Sequence, residues 1–233
     1  MQTWIVTGAS RGLGRHLALR LAARGDRVLA CARDARRLAE LAGTAVAGAI
    51  TPVVLDLADA RAIRPTLLAA IEAAGGLDGV INNAGIGEYK PFEAHGEDEL
   101  LRVLQVNLAA CMQVCHVALP FLRARGAGHI VNIGSDLGRR PLANMAAYAA
   151  SKHGLLGFSH SLLRELRPLG IKVSLVNPGI IDTDFGGATE GSRDPHASLQ
   201  PAQLAALIET LLSQPGNVLI DELTVHPLGQ QDF

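Results

Sequence analysis

The sequence has little cysteine, almost no net charge, no long apolar run and no repeats, and each shortage removes a class of protein. Three cysteines, an odd number with no CxxC spacing, exclude a disulfide scaffold and supply no zinc motif. A reducing compartment is expected. Cys111 and Cys115 lie four apart beside His116, but among Leu, Val and Ala they read as small buried hydrophobes, so no metal is expected. Lys and Arg total 21 against 22 Asp and Glu, a net charge of −1, which excludes nucleic-acid or anionic-membrane binding through bulk charge. No apolar run approaches the ~18 residues of a membrane span. Thr3-Trp4-Ile5-Val6 is too short for a signal core. The expectation is a cytoplasmic protein that binds neither membrane nor nucleic acid.

What is present is an alternation. Short runs that are apolar throughout occur at 4–6, 27–31, 51–55, 79–81, 130–133 and 172–176, with two more at 218–220 and 223–225. Helical patterns fall between them at about 13–24, 34–42, 59–73, 97–124, 146–167 and 201–213. Strands without polar alternation are covered on both faces. Strand–helix alternation then calls for a doubly wound parallel α/β sheet with right-handed crossovers. The 233 residues suit one such domain, spanning 1–233. Residues 185–200, rich in Gly, Ser and Thr, lack any pattern and read as a lid loop over about 184–200.

The first strand ends in Thr7-Gly8-Ala9-Ser10-Arg11-Gly12-Leu13-Gly14 and runs straight into a helix. Glycines at 8, 12 and 14 permit a tight turn and a close approach of backbone to a phosphate, and the helix N-terminus offers N–H groups to a pyrophosphate. The spacing is Thr-Gly-x-x-x-Gly-x-Gly, not GxGxxG. Asn82-Asn83-Ala84-Gly85, Asn107, Ser135, Tyr148 with Lys152, and Pro178-Gly179 with Thr183 follow in order. This series resembles the short-chain dehydrogenase/reductase family, in its compact single-domain Rossmann branch, and covers nearly the whole chain.

The resemblance implies an oxidoreductase acting on CH–OH groups with a nicotinamide dinucleotide. Its cofactor cradle would be Gly8, Ser10, Arg11, Gly12, Leu13 and Gly14. Asn83, Ala84 and Gly85 would lie on the adenosine side. Pro178, Gly179, Ile181 and Thr183 would lie beside the nicotinamide. Asn107, Ser135, Tyr148 and Lys152 would form the catalytic set, with Lys152 also on the ribose hydroxyls and Asn107 holding a water that links Lys152 to solvent. The spacing has its own logic. Residues four apart share a helix face, so Tyr148 and Lys152 project together. A free phenol ionises near pH 10, and bringing it to about 7 needs about 4 kcal/mol, which a close ammonium favours. Ser135 would hold the substrate oxygen while charge develops there.

Cofactor choice sits at the end of the second strand. Ala32 stands where an NAD-using relative carries an acid for the ribose 2′-OH. Arg33 and Arg11 could bracket a 2′-phosphate, so NADP(H) is expected, with NAD(H) possible. Asp34 reads as a helix cap. Asp56, with Leu57 beside it, either contacts adenine or caps the helix beginning near Asp59. Leu142, Asn144 and Phe185 are placed as substrate contacts from position alone. The expected reaction is NADPH-dependent reduction of a small-molecule carbonyl to a secondary alcohol. The rivals are a 3-oxoacyl-[acyl-carrier-protein] reductase, which would need a basic docking face from Arg123, Arg125, Arg139 and Arg140, and a non-catalytic dinucleotide-binding regulator. Apolar residues run most of the way round the 146–167 helix, which together with Leu104, Leu108 and Val117 suggests a homodimer or homotetramer.

Overall fold

The computed structural model describes residues 1–45 and 49–231. Its seven strands are β1 (Thr3–Thr7), β2 (Arg27–Ala32), β3 (Ile50–Val54), β4 (Gly79–Asn82), β5 (Gly128–Ile133), β6 (Ile171–Pro178) and β7 (Glu222–Val225). They form one parallel sheet in the order β3-β2-β1-β4-β5-β6-β7. The helices are α1 (Gly12–Ala23), α2 (Ala35–Thr44), α3 (Ala60–Ala74), α4 (Glu97–Leu104), α5 (Ala110–Arg125), α6 (Ala146–Leu166) and α7 (Pro201–Leu212).

Register explains why the strands are apolar throughout. Leu29, Ile5, Val80, Ile130 and Val173 lie in line across five strands, and all are buried under α3, α5 and α6. Their neighbours Val28, Trp4, Val6, Ile81 and Val131 point the other way, into a second cluster with Leu13, Leu17, Leu38, Leu204 and Ile208 of α1, α2 and α7. Neither face meets water, so alternation would leave polar groups buried. The order reverses between β1 and β4, which opens a crevice at the carboxyl ends of these strands where such sheets take ligands.

Two elements differ from the sequence expectation. Residues 218–220 are not a strand. Lys172 Nζ donates to the Val218 and Pro215 carbonyls at 2.5 and 2.7 Å, and Ser174 Oγ donates to the Ile220 carbonyl at 2.6 Å, so side chains of β6 take acceptors that a ladder would use. β7 then pairs with β6 from Glu222 onward. The helix expected over 97–124 is interrupted by a π-turn at Gln105–Ala109, centred on Asn107, whose carboxamide bonds outside the helix. Within the helical run Glu97–Arg125 an 18-residue window of mean hydropathy 1.4 is long and apolar enough to cross a membrane by length and composition, although polar residues interrupt it. Half of that window is buried inside the protein, where α5 covers the sheet.

Caps follow the sequence. Asp34 accepts from Arg37 N at the start of α2 and Asp59 accepts from Arg61 N and Ala62 N at the start of α3. Residues 185–200 carry one short 3-10 turn, Phe185–Gly187, and form a loop folded on itself. Buried Asp182 accepts from Gly191 N and Arg193 N, and an Ile181–Leu199 bridge closes the base.

Candidate active site

The glycine turn is shaped by what lies against it. Gly8 (φ +68°) and Gly12 (φ +51°) adopt left-handed backbone that a side chain resists. A Cβ on Gly14 would overlap the Gly8 carbonyl oxygen, and one on Gly12 would stand 3.1 Å from Thr183 Cγ2. The turn is held from β4. Thr7 Oγ1 accepts from Asn83 N and Ala84 N, both at 3.0 Å, while Asn83 Nδ2 donates to the Thr7 carbonyl at 2.9 Å. The Asn83 side chain therefore supports the cradle from behind.

Beside the turn lies a cavity of about 370 Å³, lined by Ser10, Arg11, Gly12, Arg15, Arg37 and Asp184 among others. Basic groups, small residues and a helix N-terminus suit a dinucleotide's phosphates and adenosine ribose. Of the two arginines expected at the 2′-phosphate, Arg11 lines this cavity and pairs with Asp184 at 3.0 Å. Arg33 is exposed and stands outside the lining, whereas Arg15 and Arg37, which sequence reasoning passed over, are in it. Ala32 is buried at the end of β2. Asp56 is exposed and its carboxylate accepts from Ala58 N, leaving the α3 cap to Asp59. Leu57 is buried and lines a water-sized void with Asn82, Asn107 and Cys111.

The four polar residues of the catalytic expectation converge at the ends of β4 and β5. Ser135 follows β5, while Tyr148 and Lys152 lie one turn apart at the start of α6. Lys152 Nζ stands 5.6 Å from the Tyr148 ring centroid and donates to the Ile133 carbonyl at 2.7 Å. The Tyr148 hydroxyl faces Ser135, whose hydroxyl favours the ionised phenol. Asn107, 2% exposed, donates to the Ile86 carbonyl at 2.8 Å and to Ser151 Oγ at 3.1 Å, and accepts from Ile86 N at 2.8 Å. Both of its donor hydrogens are thus in use, and one lone pair of Oδ1 is left for a donor such as water. A Cβ on Gly85 would lie 3.5 Å from Asn107 Oδ1 and 3.8 Å from Lys152 Nζ, so both face the same small space.

Burial governs the electrostatics of the site. It pushes the Tyr148 phenol up to about 12, with the Ser135 hydroxyl pulling the other way and the Asp136 carboxylate adding to the rise. Burial also brings Lys152 down from 10.5 to about 8, with Cys111 opposing. At neutral pH the pair is phenol and ammonium.

Substrate-side positions are mixed. Phe185 packs on Tyr148 with ring centroids 5.4 Å apart and planes tilted by 59°. Gly87 fits between these rings, where a Cβ would come within 3.0 Å of both. Leu142 is exposed. Asn144 has φ 64°, and its carbonyl accepts from Lys90 N at 3.1 Å, tying the 140s loop to the loop after β4. Pro178 ends β6, Gly179 N donates to the Val225 carbonyl, and Ile181 sits in the bridge to Leu199. Among the described residues, Glu88, His95 and Glu99 are the group whose ligand atoms could surround a metal. The Lys90 ammonium already bonds both carboxylates, at 3.0 and 2.8 Å.

Besides Arg15 and Arg37, sequence reasoning gave no role to four residues that build the site. Buried Asn132 accepts from Asn82 Nδ2 at 2.9 Å and donates to Ser159 Oγ at 2.8 Å, locking β4, β5 and α6 together. A lone Asn inside the apolar run 130–133 was its signal. Asp136 and Gln230 bond each other beside Ser135 with no pattern in the sequence to mark them, and Thr7, which opens the glycine motif, supports the turn.

The family model described as short chain dehydrogenase matches residues 2–193. The chain belongs to the short-chain dehydrogenase family. An uncharacterized short-chain type dehydrogenase/reductase of Sinorhizobium fredii is 33% identical over 234 residues, covering 97% of this chain and 91% of that protein. An alcohol dehydrogenase of the archaeon Thermococcus sibiricus, solved with 5-hydroxy-NADP, superposes with a TM-score of 0.93 at 27% identity, over 99% of this chain and 98% of that one. A metagenomic short-chain oxidoreductase in complex with NADP has a TM-score of 0.85 at 33% identity, with 97% of each chain covered. Membership of this short-chain dehydrogenase family makes the protein an oxidoreductase of Rossmann-like fold.

Proposed function

We propose that the protein reduces a carbonyl compound to a secondary alcohol with NADPH. The observation that carries this reading is the placement of Tyr148 between Ser135 and Lys152 at the ends of β5 and α6. Ser10, Arg15, Arg37, the glycine turn and Asn83 would hold the dinucleotide, which when bound supplies the hydride. Ser135 binds the carbonyl oxygen by turning its hydroxyl proton to it from Asp136. Tyr148, protonated at neutral pH, gives its proton to that oxygen as the carbonyl carbon takes up hydride. Lys152 then stabilises the phenolate, and a water on the free Oδ1 lone pair of Asn107 returns a proton from solvent. Phe185 and Gly87 shield the Tyr148 ring from water.

NADP(H) is the proposed cofactor, supported by the arginines of the cavity, by Ala32 in place of an acid, and by NADP in the metagenomic relative. NAD(H) would bind more weakly. Against the acyl-carrier-protein reading, two of the four arginines of its docking face are held in ion pairs, Arg139 with Glu222 through two nitrogens and Arg125 with Asp78. A regulator that only senses dinucleotide has no need of Tyr148 and Lys152 together. We place the protein in the cytoplasm as a homodimer or homotetramer, with exposed Leu101, Leu104 and Met112 on the α4–α5 run as its apolar surface.

The test is NADPH oxidation across ketones, diketones, keto esters and acyl thioesters, repeated with NADH. Tyr148→Phe should lower turnover on the order of 10²–10⁴-fold and leave dinucleotide affinity unchanged. Parent-like turnover in that variant refutes the mechanism.

A further inference from the structure

The catalytic serine is followed by a carboxylate, and the end of the chain reaches back to hold it. Ser135 Oγ donates to Asp136 Oδ1 at 3.0 Å. A carboxylate can only accept, so the serine proton points at Asp136, and the serine oxygen accepts from Leu137 N at 3.2 Å. Leu137 N also donates to Asp136 Oδ1, at 2.8 Å. The other oxygen, Oδ2, accepts from Gln230 Nε2 at 2.8 Å, and His226 Nε2 stands 3.7 Å from it. Gln230 is 8% exposed, and its Oε1 accepts from Ile180 N at 2.9 Å. One side-chain amide thus bridges the serine turn and the Pro178-Gly179-Ile180 turn after β6. It fits so closely that a Cβ on Gly179 would overlap Gln230 Oε1.

We propose that Asp136 is a positioning residue that aims the Ser135 hydroxyl and keeps Tyr148 in its acid form, and that Gln230 holds Asp136 in place for this role. The inference rests on the carbonyl-reductase reading for its meaning, since a site that keeps its phenol protonated is poised to donate a proton. The groups that face Tyr148 are the Lys152 ammonium on its own helix, Ser135 and Asp136 after β5, and the apolar Phe185 ring of the 185–200 loop. Those that face Asp136 are Ser135, Gln230 and His226. Lys152 favours the phenolate and Asp136 the phenol, so removing one charge leaves the other uncompensated. Asparagine at 136 has the same shape but cannot accept on both sides. Its amide meets either the Gln230 N–H or the Leu137 N–H with another N–H.

The chain has two tyrosines, and Tyr89 is exposed, so a Tyr89→Phe background leaves Tyr148 as the only phenol. Tyrosinate absorbance, read directly after a pH jump and before unfolding, then reports Tyr148 without substrate or cofactor. Asp136→Asn should lower the midpoint by on the order of one pH unit. In alcohol oxidation the rising limb of the pH profile should move the same way. Gln230→Ala keeps the charge and loosens its hold. It should lower kcat for reduction on the order of tenfold, with the dinucleotide Kd unchanged and a smaller midpoint shift than Asp136→Asn. A merely structural role would lower the melting temperature and leave the midpoint fixed. Coincident midpoints in folded Asp136→Asn and parent overturn the proposal. The titration decides this even for a chain that reduces no carbonyl, which would overturn only the reaction.

Discussion

Replacing Lys152 by methionine should remove activity and, near neutral pH, stabilise the protein. Lys152 is 4% exposed, and burial lowers its pKa from 10.5 to about 8. At about 1.36 kcal/mol per unit this displacement is roughly 3 kcal/mol of folding stability lost while the amine is charged. The sign follows from proton counting. Below pH 8 both folded and unfolded chains hold the proton, and the full penalty applies. Between 8 and 10.5 the unfolded chain holds it and the folded chain does not, so parent stability rises with pH until the penalty is gone. Methionine has no such charge, but it leaves the Ile133 carbonyl without the 2.7 Å bond from Nζ, a loss of about 1–3 kcal/mol. The two effects make Lys152→Met between equal to the parent and about 2 kcal/mol more stable at pH 7, and less stable by about 1–3 kcal/mol above pH 10.5. For a domain of this size the difference in melting temperature should swing by roughly 6–10 °C between these limits. Melting or urea unfolding of parent and variant without dinucleotide, at closely spaced pH values, measures it. A stability difference that stays constant from pH 7 to 10.5 refutes the claim that Lys152 is held at the expense of the fold. Turnover should drop at least a hundredfold in the same variant, which separates what the lysine does for chemistry from what it does to stability.

Ala32→Asp should lower kcat/KM with NADPH on the order of 10–100-fold and raise it with NADH, because a carboxylate at the end of β2 bonds a ribose 2′-OH and repels a 2′-phosphate; an unchanged ratio would move the discrimination wholly to Arg15 and Arg37. Asn132→Ala strips the partners of Asn82 and Ser159 inside the sheet and should cost about 2–4 kcal/mol in urea unfolding, while a loss below about 1 kcal/mol would mean that the network relaxes around the gap. Gly14→Ala drives a methyl group into the Gly8 carbonyl and the Asn83 amide, so a loss of about 1–3 kcal/mol and weaker dinucleotide binding are expected, and retention of both would place the turn elsewhere.

The sheet was legible because β1, β2, β4, β5 and β6 are buried on both faces, which writes largely apolar runs into the sequence. The exception at 218–220 is instructive. Those residues are apolar, yet Lys172 and Ser174 of β6 claim their carbonyls, and only a long-range partner decides that. The π-turn was illegible for a similar reason. Asn107 fits a helical pattern, and the bonds to Ile86 that widen the helix come from a loop twenty-one residues earlier.

The site divides along the same line. Gly8, Asn83 and Ser135 at strand ends and the pair one turn apart on α6 fall in motifs of fixed local spacing, so the family resemblance could carry them over. The residues that set their protonation are not local. Asp136 reads as an ordinary turn residue until Gln230 arrives from ninety-four positions away, and no periodicity carries such a contact. Local pattern places the phenol, the hydroxyl and the ammonium; tertiary contacts decide which of them holds a proton at a given pH. The consequence is that relatives sharing the Ser, Tyr and Lys spacing need not share a pH profile. Where the residue after the serine is uncharged, or the chain ends before a Gln230-like contact, the rising limb of alcohol oxidation should lie at lower pH than in this protein. Parallel pH–rate profiles of two such chains against the same alcohol test the point without any substitution.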